Sequence, residues 1–129
     1  MTEEFEFYHD NGQLSEKGNY KNGKQEGRWF YYYDNGQLSA KGDYRNGKKE
    51  ETWVHYYSNG QLWDKGNFKN GKYEGTWVTY YRDGQLMMKG NFTNGYREGM
   101  WVEYHWDGSK DTRWSGVYSK YKKVYVEEN

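Results

Sequence analysis

The 129-residue sequence contains no cysteine, no proline and no isoleucine. Without cysteine there is neither a disulfide framework nor a thiolate metal site, and the redox compartment stays open. Without proline, nothing interrupts a backbone ladder from within. Aliphatic side chains are scarce too: four leucines and six valines, at a mean hydropathy of −1.46. That scarcity usually marks a chain unable to offset its ordering entropy. Neither sign of charge dominates, because 19 Lys and Arg face 19 Asp and Glu. A balanced chain has little pull on nucleic acid or anionic lipid, so neither is expected as a partner. No apolar run is long enough to span a membrane, and the start MTEEFEFYHD lacks a basic, then apolar, leader. The expectation is a cytoplasmic protein.

Aromatic residues make up 22% of the chain, with 16 Tyr and 7 Trp. Each ring can bury about 150–250 Å² while Tyr and Trp keep a polar edge for water. With no net charge to expand the chain, a thin folded structure with two wet faces is therefore feasible.

A shift of 24 residues aligns Tyr8, Tyr32, Tyr56, Tyr80 and Tyr104, and likewise Gly12, Gly36, Gly60, Gly84 and Gly108. Leu14, Leu38, Leu62 and Leu86 form another column, as do Trp29, Trp53, Trp77 and Trp101. A strict period signals a repeat array, in which no single catalytic centre is implied. Residues 1–129 read as one repeat domain, with 24-residue hairpin repeats over 8–104 and a degenerate C-terminal cap over 105–129. In that cap Ser109-Lys110 replaces Gln-Leu, and Tyr121 to Val126 alternates like a strand before Glu127 and Glu128.

Each repeat holds two strand-length segments separated by Asn-Gly or Asp-Gly, the strongest short hairpin signal. No helical periodicity or capping pattern appears. Tight turns between all neighbours leave one topology: an all-β, single-layer antiparallel meander of about eleven strands, roughly 45–50 Å long at ~4.8 Å per strand. Turn type sets the faces. If Asp34-Asn35-Gly36 is a three-residue turn, Tyr32 pairs with Leu38, and Leu38, Ala40, Gly42 and Tyr44 share a face with Val54 and Tyr56. If Asn35-Gly36 alone turns, Tyr33 pairs with Leu38 and the tryptophans join the leucine face. The residue before each Asn-Gly favours the three-residue form in both turns. The strand glycines Gly18, Gly42, Gly66 and Gly90 should then let neighbouring rings lie across the backbone. The Lys17, Lys41, Lys65, Lys89 and Glu26, Glu50, Glu74, Glu98 columns suggest a ladder of surface ion pairs. The open sheet edges leave an edge-strand dimer available.

Chemistry finds little purchase here. His9 and His105 fall about 35–40 Å apart in such a meander, and His55 stands alone, so no metal site and no catalytic triad is expected. The carboxylates lie in ladders open to water, which gives no raised pKa for a general acid. No phosphate-loop motif occurs. We expect no catalytic residues, no cofactor, and a non-enzymatic protein that binds another protein.

A specific partner should read what does not repeat. After the leucines come Ser15-Glu16, Ser39-Ala40, Trp63-Asp64 and Met87-Met88. In the three-residue register Trp63 and Met87 would pair with Trp77 and Trp101, and Met88 with Met100 on the opposite face. Tyr73 and Tyr96 replace charged or polar residues near the loops. Since aromatic and Met side chains are enriched at binding hot spots, the expected contact set is Trp63, Trp77, Met87, Trp101, Tyr73 and Tyr96.

The unit K-G-[ND]-[YF]-x-N-G-K-x-E-G-x-W, at Lys17 to Trp29 and Lys65 to Trp77, resembles the MORN repeat, and more closely its bacterial 24-residue variant with Y-x-N-G-Q-L. Glu51 departs from its E-G glycine and Tyr96 from its lysine. The resemblance implies a β-hairpin meander used as a protein-binding scaffold. Its antitoxin or immunity-protein members imply a toxin domain as partner, and its name implies lipid binding as an alternative. Gly27-Arg28-Trp29-Phe30-Tyr31-Tyr32 is also similar to the choline-binding repeats of cell-surface proteins, which cage a cation between rings.

Overall fold

The structure, a computed structural model, describes residues 2–120 and 122–124. The chain runs as β1 (Thr2–Tyr8), β2 (Leu14–Lys21), β3 (Lys24–Tyr32), β4 (Leu38–Arg45), β5 (Lys48–Tyr56), β6 (Leu62–Lys69), β7 (Lys72–Tyr80), β8 (Leu86–Thr93), β9 (Tyr96–Glu103), β10 (Gly116–Ser119) and β11 (Lys122–Val124). Spatial order equals chain order, every pairing is antiparallel, and no helix occurs among the described residues. The hairpin meander is therefore the architecture. Ten strands have four residues or more, and the expected count of about eleven is reached only with the three-residue β11. Of the strand expected over Tyr121 to Val126, only Lys122–Val124 is seen as one; Tyr121 and residues 125–129 lie outside the described residues.

The two turns of each repeat differ. Tyr33 N–H donates to Gln37 O at 2.8 Å, Gly36 N–H donates to Tyr33 O at 3.0 Å, and Gly36 takes φ 88°. This is the expected three-residue turn, and it recurs after His9, Tyr57, Tyr81 and His105. The second turn is not of that form. Asn46 and Gly47 both have positive φ, 52° and 80°, and Arg45 pairs with Lys48, which makes a two-residue type I′ turn. An Asn tolerates the left-handed region better than most residues, so the dipeptide needs no third turn residue.

The two-residue second turn and a bulge at Ser39 correct the expected faces, and a second irregularity lies at Gly42. Tyr32 pairs with Leu38 as anticipated, but Tyr31 pairs with Ala40, leaving Ser39 as an extra residue. Across the next ladder Lys41 pairs with Val54 and Asp43 with Glu50, so Gly42 faces the longer segment Glu51-Thr52-Trp53. The one inserted residue, Ser39, resets the alternation between Leu38 and Ala40; the three residues against Gly42 amount to two inserted ones and keep it, so the two-residue turn at Asn46-Gly47 sets which side of β5 meets β4. Ala40, Gly42 and Tyr44 thus share a face with the tryptophans, whereas Val54, Tyr56 and Leu62 line the opposite face with Lys41 and Lys65.

The core is a single row of rings on the first face. Trp29, Trp53 and Trp101 are 0%, 1% and 0% exposed, and Trp77 is 7% exposed. Each indole lies across the backbone of a strand glycine, as the glycine column predicts. Each also donates its N–H to a backbone carbonyl ten residues earlier in the chain, that of Asn19, Asp43, Asn67 or Asn91, at 2.9–3.2 Å. Edge-to-face packing joins them into one row: Tyr44 meets both Trp29 and Trp53, at 6.0 and 5.0 Å, and Phe92 meets both Trp77 and Trp101, at 6.2 and 4.9 Å.

The expected lysine–glutamate ladder is not what these carboxylates make. Glu26, Glu50 and Glu74 instead accept the backbone N–H of Asn46, Asn70 and Asn94, each in the following repeat, at 2.8, 2.9 and 2.9 Å. A turn N–H with no ladder partner is a better target for a carboxylate than a solvated ammonium. Lys17 does pair, with Glu4 at 3.4 Å and Glu6 at 3.9 Å on the edge strand.

Glu51 carries a local strain. It occupies the bulge position that Gly27, Gly75 and Gly99 fill elsewhere, with φ 57° against their 74°, 74° and 73°. A left-handed L-residue costs about 1–2 kcal/mol, part of which glycine gives back in chain entropy. Glu51→Gly is therefore expected to raise stability by about 0.5–1 kcal/mol, read as a higher urea midpoint with unchanged slope.

Candidate protein-binding face

Repeating side chains build the ring row, and four columns beside it vary. In chain order they carry Gln25, Lys49, Tyr73 and Arg97; Tyr31, His55, Thr79 and Glu103; Glu16, Ala40, Asp64 and Met88; and Ser15, Ser39, Trp63 and Met87. The last column is the bulge. Because Leu62 pairs with Tyr56 and Asp64 with His55, Trp63 is the inserted residue, and consecutive residues 63 and 64 both reach the ring face.

Between the second and third repeats this variation opens a hollow of about 440 Å³. Trp53 and the short side chain of Ala40 lie at its base, Tyr31 and Tyr33 bound it on one side, and His55 and Trp63 on the other. Trp63 stacks on Tyr57 at 5.4 Å and meets His55 at 6.1 Å, so its 42% exposed ring has a fixed stance. His55 Nδ1 bonds Asp64 Oδ1 at 2.6 Å. The hydroxyls of Tyr31 and Tyr44 are 2.9 Å apart, and burial, then that hydrogen bond, raises the Tyr44 pKa far above the usual phenol range. Lys49 places its ammonium 4.6 Å from the Trp53 ring centroid and 5.2 Å from that of Phe68. Burial lowers its pKa, opposed by the charge of Asp64.

The six expected contact residues divide. Trp63 and Tyr73, 42% and 43% exposed, lie on the ring face, Tyr73 packed edge-on against Trp77 at 4.6 Å. Tyr96 is 43% exposed but precedes Arg97, whose guanidinium lies 4.3 Å over Trp101, and so alternates to the opposite face. Met87 is half-buried in the bulge of the fourth repeat. Trp77 and Trp101 belong to the core and offer a partner no surface. They pair with Gly90 and Gly116 rather than with β6 or β8 bulge residues, so the expected Trp63–Trp77 and Met87–Trp101 stripe does not form. Met88 pairs with Glu103 on the ring face while Met100, 60% exposed, pairs with Val117, so those two methionines do not meet.

Sequence reasoning missed Lys49, His55 and Ala40. A signal for them exists in the 24-residue columns, since all three sit in columns that differ in every copy. Charged and small residues blend into the scaffold when size alone is used to pick out departures. Among the described residues no group of three His, Asp or Glu is arranged to hold a metal. Ser39 lines the same hollow as His55.

The family model described as "MORN repeat variant" matches residues 4–22, 25–46, 52–70 and 73–94, together more than half of the chain. No curated protein sequence matches it.

Proposed function

We propose that this chain, which belongs to the family of MORN repeat variants, is a non-enzymatic protein-binding scaffold that presents its ring face to the partner. The observation that supports the reading is the placement of Trp63 and Tyr73. Both are large, both interrupt the repeat, and both stand exposed on the face whose interior is otherwise closed by tryptophan. Rigid aromatic side chains of this kind give contact area at low entropic cost. The imidazole–carboxylate pair His55–Asp64 on that face serves to hold an aromatic wall rather than to activate a nucleophile. The resemblance to bacterial repeat proteins makes a toxin domain, neutralised by being bound, the partner class to try first.

The test is affinity capture with the full chain, followed by titration of the captured protein against variants. Trp63→Ser together with Tyr73→Ser is expected to weaken binding at least tenfold while leaving the circular dichroism spectrum unchanged. Unchanged affinity would remove the ring face from the interface. Flotation with anionic vesicles in place of any protein complex would replace the reading with a lipid one.

A further inference from the structure

We propose that the hollow over Ala40 is a side-chain socket for an acidic residue and the aromatic residue beside it in a segment of the partner protein. This rests on the protein-binding reading above and adds the chemistry of what is bound.

The socket arises from two departures in the repeat. At the position of Ala40 the other copies carry Glu16, Asp64 and Met88, each long enough to reach over the ring face. Asp64 does so by bonding His55, and Met88 by lying under Arg97, whose nitrogen is 3.7 Å from its sulfur. Ala40 reaches nothing, and Trp53 beneath it is left as a floor. Trp63, one repeat on, then raises a wall where Ser39 and Ser15 stand in earlier copies. The resulting volume of about 440 Å³ lies in the range of about 300–1,000 Å³ that holds a small ligand, room for a ring as well as a carboxylate.

Charge decides between occupants. Lys49 is the cation of the socket, and among the described residues it forms no ion pair: its ammonium lies on Trp53 and Phe68. The acid whose charge acts on it, Asp64, makes its hydrogen bond to His55, at 2.6 Å, and no salt bridge to Lys49. An incoming cation would compete with Lys49 for the face of Trp53 and be repelled by it, which disfavours a choline-like ligand. An incoming carboxylate finds a partly desolvated ammonium with three donors and rings on which to lay its methylenes. A lipid headgroup fits less well, since one recessed ammonium gives little hold on a multiply charged phosphate.

The experiment is a titration of the labelled full chain, following the Ala40 methyl and the Trp53 and Trp63 indole N–H signals by NMR. The probes are three blocked tripeptides, Asp-Phe-Glu, Asn-Phe-Gln and Lys-Phe-Lys, together with choline. Asp-Phe-Glu is expected to give saturable shifts at all three reporters, at least tenfold tighter than Asn-Phe-Gln, with none from Lys-Phe-Lys or choline. Lys49→Gln should erase the tenfold preference and Lys49→Arg, the type carried at Arg97, should keep it. Ala40→Met, the type carried at Met88, should abolish binding in a chain that still folds. Equal binding of the acidic and neutral peptides, or binding retained in Ala40→Met, overturns the socket. If partner capture depends on Trp63 but no acidic peptide binds, the socket falls and the scaffold reading stands. If the acidic peptide binds while capture ignores Trp63 and Tyr73, the ring face is a peptide socket and the wider scaffold interface falls.

Discussion

Gly42→Ala is expected to cost the array about 3 kcal/mol or more, at the upper end of what overpacking does. A Cβ at this position would stand 2.1 Å from Cδ2 and 2.2 Å from Cε2 of Trp53. The indole cannot swing aside cheaply. Its N–H is bonded to Asp43 O at 2.9 Å, and Tyr44 abuts it edge-on at 5.0 Å. The measurement is urea unfolding followed by tryptophan fluorescence, and a double-mutant cycle with Trp53→Leu isolates the clash. Once leucine has replaced the indole, the alanine should cost much less, a coupling of more than about 1 kcal/mol between residues in direct contact. Additive effects would mean that the ring over the glycine is not what excludes a side chain there.

Trp101→Ala is expected to cost about 4 kcal/mol, within the range for removing a buried tryptophan. The side chain is fully buried, Phe92 and Tyr118 pack on it at 4.9 and 6.4 Å, and its loss leaves the Asn91 carbonyl without its indole donor. What sets the protein apart from a globule is where that loss is felt. Among the described residues the substantial contacts between strands run between sequential neighbours. Stability in such an array is a sum of local terms, so damage stays near its origin. Hydrogen exchange should show amides of β8–β10 losing protection while β2–β5 keep theirs. A uniform loss across all strands would show a single cooperative unit instead.

The tandem hairpins were legible because their signals are local: Asn-Gly and Asp-Gly dipeptides at fixed spacing leave few topologies for the chain to choose from. The strand glycines were legible as well, since the recurring spacing of Gly42 and Trp53 within the repeat has a steric reason. What escaped was the phase between segments. The single inserted Ser39 turns Leu38 away from the face of Ala40, and the two-residue turn at Asn46-Gly47, in place of a three-residue one, brings Trp53 onto the face of Gly42 and Tyr44. From the assumed length of the second turn followed the placement of Trp77 and Trp101 in a contact stripe. Trp63 and Tyr73 stand out in the sequence by size and departure from the repeat regardless of phase, and both are exposed on the ring face. The Lys49 ammonium could not be placed, because which rings it covers depends on the phase that was lost.

The hydroxyls of Tyr33, Tyr57 and Tyr81 each donate to a backbone carbonyl 23 residues later, at 2.6 Å, and Asn11, Asn35 and Asn59 do the same from the turns, at 2.6–3.2 Å. On the other long margin the Glu26, Glu50 and Glu74 caps also reach one repeat ahead. The strip therefore has a stitched hem along both margins, and each stitch ties one pitch of the array to the next. Spacing between equivalent side chains, such as Trp63 and Met87, is held from the margins as well as by the rings between them. A partner that spans two repeats meets a ruler whose gradations are fixed along both of its edges.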